Sequence, residues 1–231
     1  MTDPGIVWLV AREASSLPEP TRWLGPTEVE VLAALSRPWR RADWLLGRFA
    51  AKEALRAVVD EPPAPERFEI LAASDGAPEA WLDGERLPWV ISLSHRDGVA
   101  ICAVAPAGVA LGCDLERVEP RSAAFVEDYF TAAERDRIVN TPNEGRDALV
   151  NALWAAKEAA LKALRTGLRR DTRSVEVTHV GEGEGWRALR VEDGIGARAF
   201  GGLFRLDGGR VVTVLGDPPV LDVRAIDTSP G

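Results

Sequence analysis

Cysteine and histidine are scarce in this chain, and neither a long apolar run nor a block of basic residues is present. The two cysteines, Cys102 and Cys113, both lie inside strand-like apolar runs. They offer no disulfide framework and read as buried, reduced thiols, the usage of a cytosolic protein. Histidine occurs twice, at His95 and His179. The apolar stretch near the start, Ile6 to Ala11, is too short for the apolar region of a signal peptide or for a membrane span. A cytoplasmic protein without a membrane partner is therefore expected. The net charge is −8 at pH 7, and no run of Lys and Arg is suited to tracking a nucleic-acid backbone, which argues against nucleic acid as the principal partner. An acidic protein partner would be repelled too, unless basic residues cluster locally. Arg37, Arg40, Arg41 and Arg48 do fall close together, with Lys52 and Arg56 continuing the set along one helical segment. That cluster is either a solvated helix face or a contact for phosphates or an acidic partner.

At 231 residues and 46% hydrophobic, the chain can bury a sizeable core, as one large domain or two small ones. Period and punctuation predict its elements. Thr27 to Glu30 reads as a capping box opening a short helix that ends before Pro38, and a longer helix runs from Trp39 to Val59. Strands are predicted at Phe68–Ala72, Trp89–Leu93, Val99–Val104 and Val109–Leu115. Thr131 to Glu134 is a second capping box, and Ala148–Leu164 a second long helix. The last sixty residues or so read as an antiparallel sheet broken by Gly-rich turns, with a disordered tail from Asp227. Phe49-Ala50-Ala51-Lys52-Glu53-Ala54 returns as Trp154-Ala155-Ala156-Lys157-Glu158-Ala159, 105 residues later. With the similar order of helix and strands around each copy, this favours two related α+β halves.

The chemistry gathers in two segments. Gly112-Cys113-Asp114-Leu115-Glu116 ends an apolar strand, so Asp114 and Glu116 share one face. Some forty residues on, Trp154 to Lys162 reads as a helix with Lys157 and Glu158 adjacent and Lys162 about a turn beyond. Three carboxylates from a strand and a helix, with two lysines beside them, suit a divalent cation and a polyphosphate, because Mg²⁺ takes oxygen ligands and completes its shell with waters and phosphates.

GCDLE followed by WAAKEAALK resembles the paired signatures of the 4′-phosphopantetheinyl transferases, and Ser92-Leu93-Ser94-His95 resembles that family's upstream S-x-S-H stretch. The three occur in the family's order and spacing. The length resembles the larger, surfactin-synthetase type. That resemblance implies an α+β fold in which two similar halves form an intramolecular pseudodimer, with the active site in the cleft between them. The halves are expected at 1–116, on the coenzyme A side, and at 117–231, carrying the W-x-x-K-E-x-x-x-K helix. It also implies a monomer that moves the 4′-phosphopantetheine arm of coenzyme A onto a serine of an apo acyl or peptidyl carrier protein. Mg²⁺ would be required and 3′,5′-bisphosphoadenosine released.

Carried over residue by residue, the resemblance makes Asp114, Glu116 and Glu158 the metal ligands. Glu158, or a metal-held water, is the base for the carrier serine. Lys157 and Lys162 are phosphate-contacting lysines, and His95 and Ser94 face the phosphates of coenzyme A. Arg48 follows Gly47 in a pair that resembles the family's contact with the 3′-phosphate, and Lys52 is a further candidate. Glu158, Lys162 and His95 are the expected catalytic set. The chain departs from the family at Ala77, where Gly76-Ala77-Pro78 stands for Gly-Lys-Pro, so the lysine's contact is either absent or supplied by Arg86 or another residue. Cys113 stands where a branched aliphatic is usual and reads as an apolar filler. Phe125, Tyr129 and Phe130, within Ala123–Ile138, belong either to a carrier-docking surface or to the core. Two other readings stay open: a non-catalytic coenzyme A-binding scaffold or sensor, and a Mg²⁺-dependent pyrophosphatase or phosphodiesterase.

Overall fold

The computed structural model describes residue 3 and residues 5–226. The tail from Asp227, expected to be disordered, lies outside the described residues. In chain order the elements are β1 (Ile6–Glu13), α1 (Pro26–Ala34), α2 (Pro38–Val58), β2 (Phe68–Ala72), β3 (Pro78–Leu82), β4 (Glu85–Arg96), β5 (Val99–Pro106), β6 (Ala110–Arg117), α3 (Ala123–Tyr129), α4 (Ala132–Val139), α5 (Asn143–Ala163), β7 (Val175–Val180), β8 (Arg187–Asp193), β9 (Ala199–Asp207), β10 (Arg210–Asp217) and β11 (Asp222–Ala225). Among the described residues no helix is long and apolar enough to cross a membrane.

The chain divides into two compact α+β units, one of residues 1–109 and 223–231, the other of residues 110–222. The division falls after residue 109, where the sequence suggested 116. β6 is the reason: it hydrogen-bonds along its length to β10 of the second unit, so the strand carrying Asp114 and Glu116 belongs there. The final segment returns to the first unit because β11 lies beside β1, where the Ile226 amide donates to the Leu9 carbonyl.

Each unit is a sheet with one long helix laid across it. The first sheet has the order β11-β1-β5-β4-β3-β2, the second β6-β10-β9-β8-β7. Without β11 the two orders are the same: the strand before the helix pairs with the last strand, and the intervening strands follow in reverse. In the first unit α2 buries Leu46, Ala50, Ala51, Ala54 and Leu55 against Phe68, Ile70, Ala100, Cys102 and Val104. In the second, α5 buries Leu153, Ala156, Ala160 and Leu161 among Val175, Val177, Val191, Phe200, Phe204 and Val211. The alanine-rich faces let helix and sheet approach closely, and burial of the surrounding aliphatic and aromatic side chains supplies the main stabilisation.

A second repeat, invisible in the sequence, locks each helix to its sheet. Glu134 is the third residue of α4 and closes a capping box. Its Oε2 accepts from the Thr131 amide at 2.9 Å, while Thr131 Oγ1 accepts from the Glu134 amide at 3.3 Å. Glu134 Oε1 accepts from the Val177 amide at 2.8 Å, and Lys157 Nζ donates to Glu134 Oε2 at 2.7 Å and to the Val175 carbonyl at 2.6 Å. The first unit repeats the glutamate–lysine pair and the glutamate's two amide contacts, with a glycine N-cap and a different main-chain carbonyl for the lysine. Glu28 accepts from the amides of Gly25 and Ile70, and Lys52 Nζ reaches Glu28 at 2.5 Å and the Trp23 carbonyl at 2.6 Å. All four charged side chains are fully buried.

The first of these boxes corrects the sequence reading. Gly25 is the N-cap and Glu28 the reciprocal carboxylate, where Thr27 and Glu30 were expected. Pro26 at the first helical position starts the helix two residues early, because its fixed φ suits that place and it needs no amide partner. Thr27 donates instead to Glu69.

Candidate active site in the second unit

Gly112, Asp114 and Glu116 alternate onto one face of β6, and Gly112 fixes which face it is. A Cβ added there would stand 1.8 Å from the Ala159 carbonyl oxygen, so this face abuts the α5 backbone. Along α5, Asn151, Trp154, Glu158 and Lys162 follow one another at intervals of three or four residues and form one stripe. Strand face and helix stripe meet. Lys162 Nζ donates to Asp114 Oδ1 at 2.7 Å and to the Cys113 carbonyl at 3.0 Å. Trp154 Nε1 donates to Glu116 Oε1 at 3.1 Å. Asp114 and Glu116 are both buried, a costly place for carboxylates that lack cationic or hydrogen-bonding company.

Glu158 completes the group. Burial and then the charge of Asp114, opposed by Lys162, with Glu116 adding to the rise, push its carboxyl from the ordinary 4.5 up to about 7. Lys162 is held above its ordinary value: burial opposes its charge, but the Asp114 carboxylate and other negative neighbours outweigh that. Two residues absent from the sequence reading join the site. Arg121, on the segment after β6, donates to Glu116 Oε2 at 3.0 Å and to Asn151 Oδ1 at 2.8 Å. Asn151 is fully buried. An Asn in the middle of a helix is a poor helix former, and that was the available signal. Arg121 lies in a loop with no motif around it.

The structure thus brings together Asp114, Glu116, Glu158 and Lys162, and it removes Lys157 and Lys52 from the expected cofactor contacts. Each Nζ is sealed inside its own unit by a glutamate and a main-chain carbonyl. The reason is rotational: Lys157 precedes Glu158 by one residue, about 100° around the helix, and so points to α4 and β7 rather than to β6.

In the first unit, Ser94 and His95 sit near the end of β4, opposite Ile101 and Ala100. Ser94 is buried, and His95 is half-exposed with Nδ1 3.9 Å from Asp43 Oδ2. Arg48 stacks on Trp44, its guanidinium carbon 4.6 Å from the ring centroid. Its buried Nε finds no acceptor among the described residues, which an anionic ligand would remedy. Burial lowers its pKa, against the pull of Glu28. Ala77 lies in the turn between β2 and β3, and Arg86 pairs with Glu79 at 2.9 Å.

Register explains why only the second unit carries the carboxylates. Val99 pairs with Arg96 as Arg210 pairs with Asp207, which aligns β5 with β10. Val10 then stands where Asp114 does, and Arg12 where Glu116 does. Glu53, the counterpart of Glu158, is answered by Arg12 at 3.4 Å.

Two family models match the chain. A model of the 4′-phosphopantetheinyl transferase superfamily matches residues 110–202, and a model of the 4′-phosphopantetheinyl transferase N-terminal domain matches residues 28–105. The chain belongs to the 4′-phosphopantetheinyl transferase superfamily. A Synechocystis protein bearing the family's name is 27% identical over 169 residues, covering 66% of this chain and 67% of that protein. The transferase psf-1 of Bacillus pumilus is 34% identical over 77 residues, covering 33% of this chain and 32% of its own length. HetI of Nostoc is 27% identical over 136 residues, covering 57% and 55%. The matches thus span from about a third to two thirds of these relatives. Among solved structures, a holo-(acyl-carrier-protein) synthase from Bacillus anthracis in complex with CoA (3′,5′-ADP) is 21% identical with a TM-score of 0.38, covering 44% of this chain and 96% of that one. A Thermotoga maritima synthase gives 22% and 0.36, covering 54% and 74%. The family's two-domain organisation agrees with the two units, and its enzyme class is the one the sequence motifs imply.

Proposed function

We propose that this transferase moves the 4′-phosphopantetheine arm of coenzyme A onto a serine of an apo carrier protein, with Mg²⁺, and releases 3′,5′-bisphosphoadenosine. The observation that carries the reading is the cluster of Asp114, Glu116 and Glu158 on the facing sides of β6 and α5. Its donor chemistry fits a hard cation: three carboxylates, of which Glu158 is kept partly protonated near neutrality by its burial and then by the charge of its carboxylate neighbours. Among the described residues no group of three or more His, Cys, Asp or Glu side chains is arranged, as it stands, to hold a metal ion. Lys162 and Arg121 supply the counter-charge instead. Asp114, Glu116 and Glu158 would hold Mg²⁺, which when bound neutralises the charge of a pyrophosphate.

The chain's own groups do the rest. In the transfer, the serine oxygen bonds to the phosphorus that bears pantetheine, and the bond from that phosphorus to the oxygen of the leaving phosphate breaks. Glu158, or a water held beside it, is assigned to take the serine proton. Lys162, a mobile point charge held by Asp114 and the Cys113 carbonyl, meets the growing charge on the leaving phosphate. Arg48, with its unanswered Nε, Ser94 and His95 are assigned to the phosphates of coenzyme A. Lys52 and Lys157, both sealed in ion pairs, are assigned to the scaffold.

The test is release of 3′,5′-bisphosphoadenosine from coenzyme A, with and without an apo carrier and Mg²⁺. Release that needs both supports transfer. Release without a carrier favours a pyrophosphatase, and binding of coenzyme A without release favours a scaffold or sensor.

A further inference from the structure

Glu116 is held on both oxygens, and one of the two holders is itself aimed by a buried amide. Asn151 Nδ2 donates to the carbonyls of Glu119 and Asp147, at 2.7 and 2.8 Å. Those two bonds fix which way the amide faces, so Asn151 Oδ1 is left to accept from Arg121 Nε at 2.8 Å. The guanidinium is further constrained by Glu119, 3.2 Å from Nη1, and by the Phe125 ring, 5.0 Å from its central carbon. With its plane set, Arg121 presents Nη2 to Glu116 Oε2 at 3.0 Å while Trp154 Nε1 takes Oε1. A carboxylate oxygen can accept more than one hydrogen bond, so these two bonds orient the group and are compatible with a cation on it.

We infer that Arg121, aimed by Asn151, is a positioning residue that orients Glu116 for cation binding. The inference rests on the proposed Mg²⁺ role of Asp114, Glu116 and Glu158. Groups that orient metal-ligating carboxylates typically contribute 10–100-fold to metal affinity. The role demands the planar fork of arginine, since an ammonium cannot bridge Asn151 and Glu116 with fixed geometry.

The experiment measures Mn²⁺ binding to the full chain by the electron paramagnetic resonance of free Mn²⁺, at a pH above 7, beside melting of the metal-free protein. Arg121→Lys keeps the charge and removes the fork; the expected result is a Kd raised about tenfold with melting unchanged. Arg121→Met removes the charge as well, and binding is again expected to be weaker than in wild type. Wild-type affinity in Arg121→Lys, or tighter binding in Arg121→Met, overturns the positioning role, since a guanidinium acting as repelling charge alone gives those results. Failure of the wild type to bind Mn²⁺ overturns the cation reading, and the inference with it.

Discussion

Gly112→Ala is the sharpest perturbation of the account, because one methyl group acts on both the fold and the site. The added Cβ would lie 1.8 Å from the Ala159 carbonyl oxygen, 2.7 Å from its carbon and 3.0 Å from the Ala163 nitrogen. All three are backbone atoms, so no side chain can turn aside to make room. Ordinary contact begins near 3.4 Å, so β6 and α5 must separate locally by about 1.6 Å, a gap that forfeits much of their dispersion contact. Overpacking of this kind costs about 3 kcal/mol or more, which for a chain of this size lowers Tm by roughly 6–12 °C. The same opening strains the contact of Lys162 Nζ with Asp114 Oδ1, now 2.7 Å, and shifts Glu158 on α5 away from the β6 carboxylates. Differential scanning calorimetry reads the first effect and Mn²⁺ binding the second. Melting at the wild-type temperature with unchanged Mn²⁺ affinity would refute the close approach as the feature that builds the site.

Gly47→Ala gives the contrast: it lies inside α2 with nothing within 4 Å of an added Cβ, so melting should hold or rise, by about 0.5–1 kcal/mol. If the Gly47-Arg48 pair meets the nucleotide, that variant also raises KM for coenzyme A; an unchanged KM removes the pair from the binding surface. Lys157→Ala leaves Glu134 buried and uncompensated and should cost about 3–5 kcal/mol, read as a fall in the urea midpoint, whereas a wild-type midpoint with raised KM would restore Lys157 as a phosphate ligand. Because the folded carboxyl of Glu158 stays protonated up to about 7 against an ordinary 4.5, the folded state binds more protons across that window. Stability should therefore fall as pH rises from about 4.5 to 7 and level off above, cation binding should tighten over the same range, and Glu158→Gln should abolish this contribution in a urea-midpoint series.

The sequence revealed those parts of the molecule that rest on local pattern. The strand alternation of β6 placed Asp114 and Glu116 on one face, and the helical spacing from Trp154 to Lys162 aimed Glu158 and Lys162 at it. The 105-residue recurrence of the Ala-Ala-Lys-Glu-Ala string anticipated two units with the same strand order. What escaped was decided by long-range partners. Lys157 reads as well for a phosphate as for a buried glutamate, and only the fold of α4 and β7 around it shows Glu134 waiting there. Arg121 carries no signature because its role comes from a loop that returns to α5. The domain boundary moved for a similar reason: β6 follows β5 closely in the chain yet pairs with β10, nearly a hundred residues on.

The central claim is carrier modification at the Asp114, Glu116 and Glu158 cluster, and intact-mass measurement of an apo carrier protein tests it most directly. Incubated with this chain, coenzyme A and Mg²⁺, the carrier should gain one phosphopantetheine arm on its serine, and the gain should vanish with a chelator or in the Glu158→Gln variant. A carrier mass unchanged across fatty-acid, polyketide and peptide carriers, or a gain that survives both the chelator and Glu158→Gln, would contradict it.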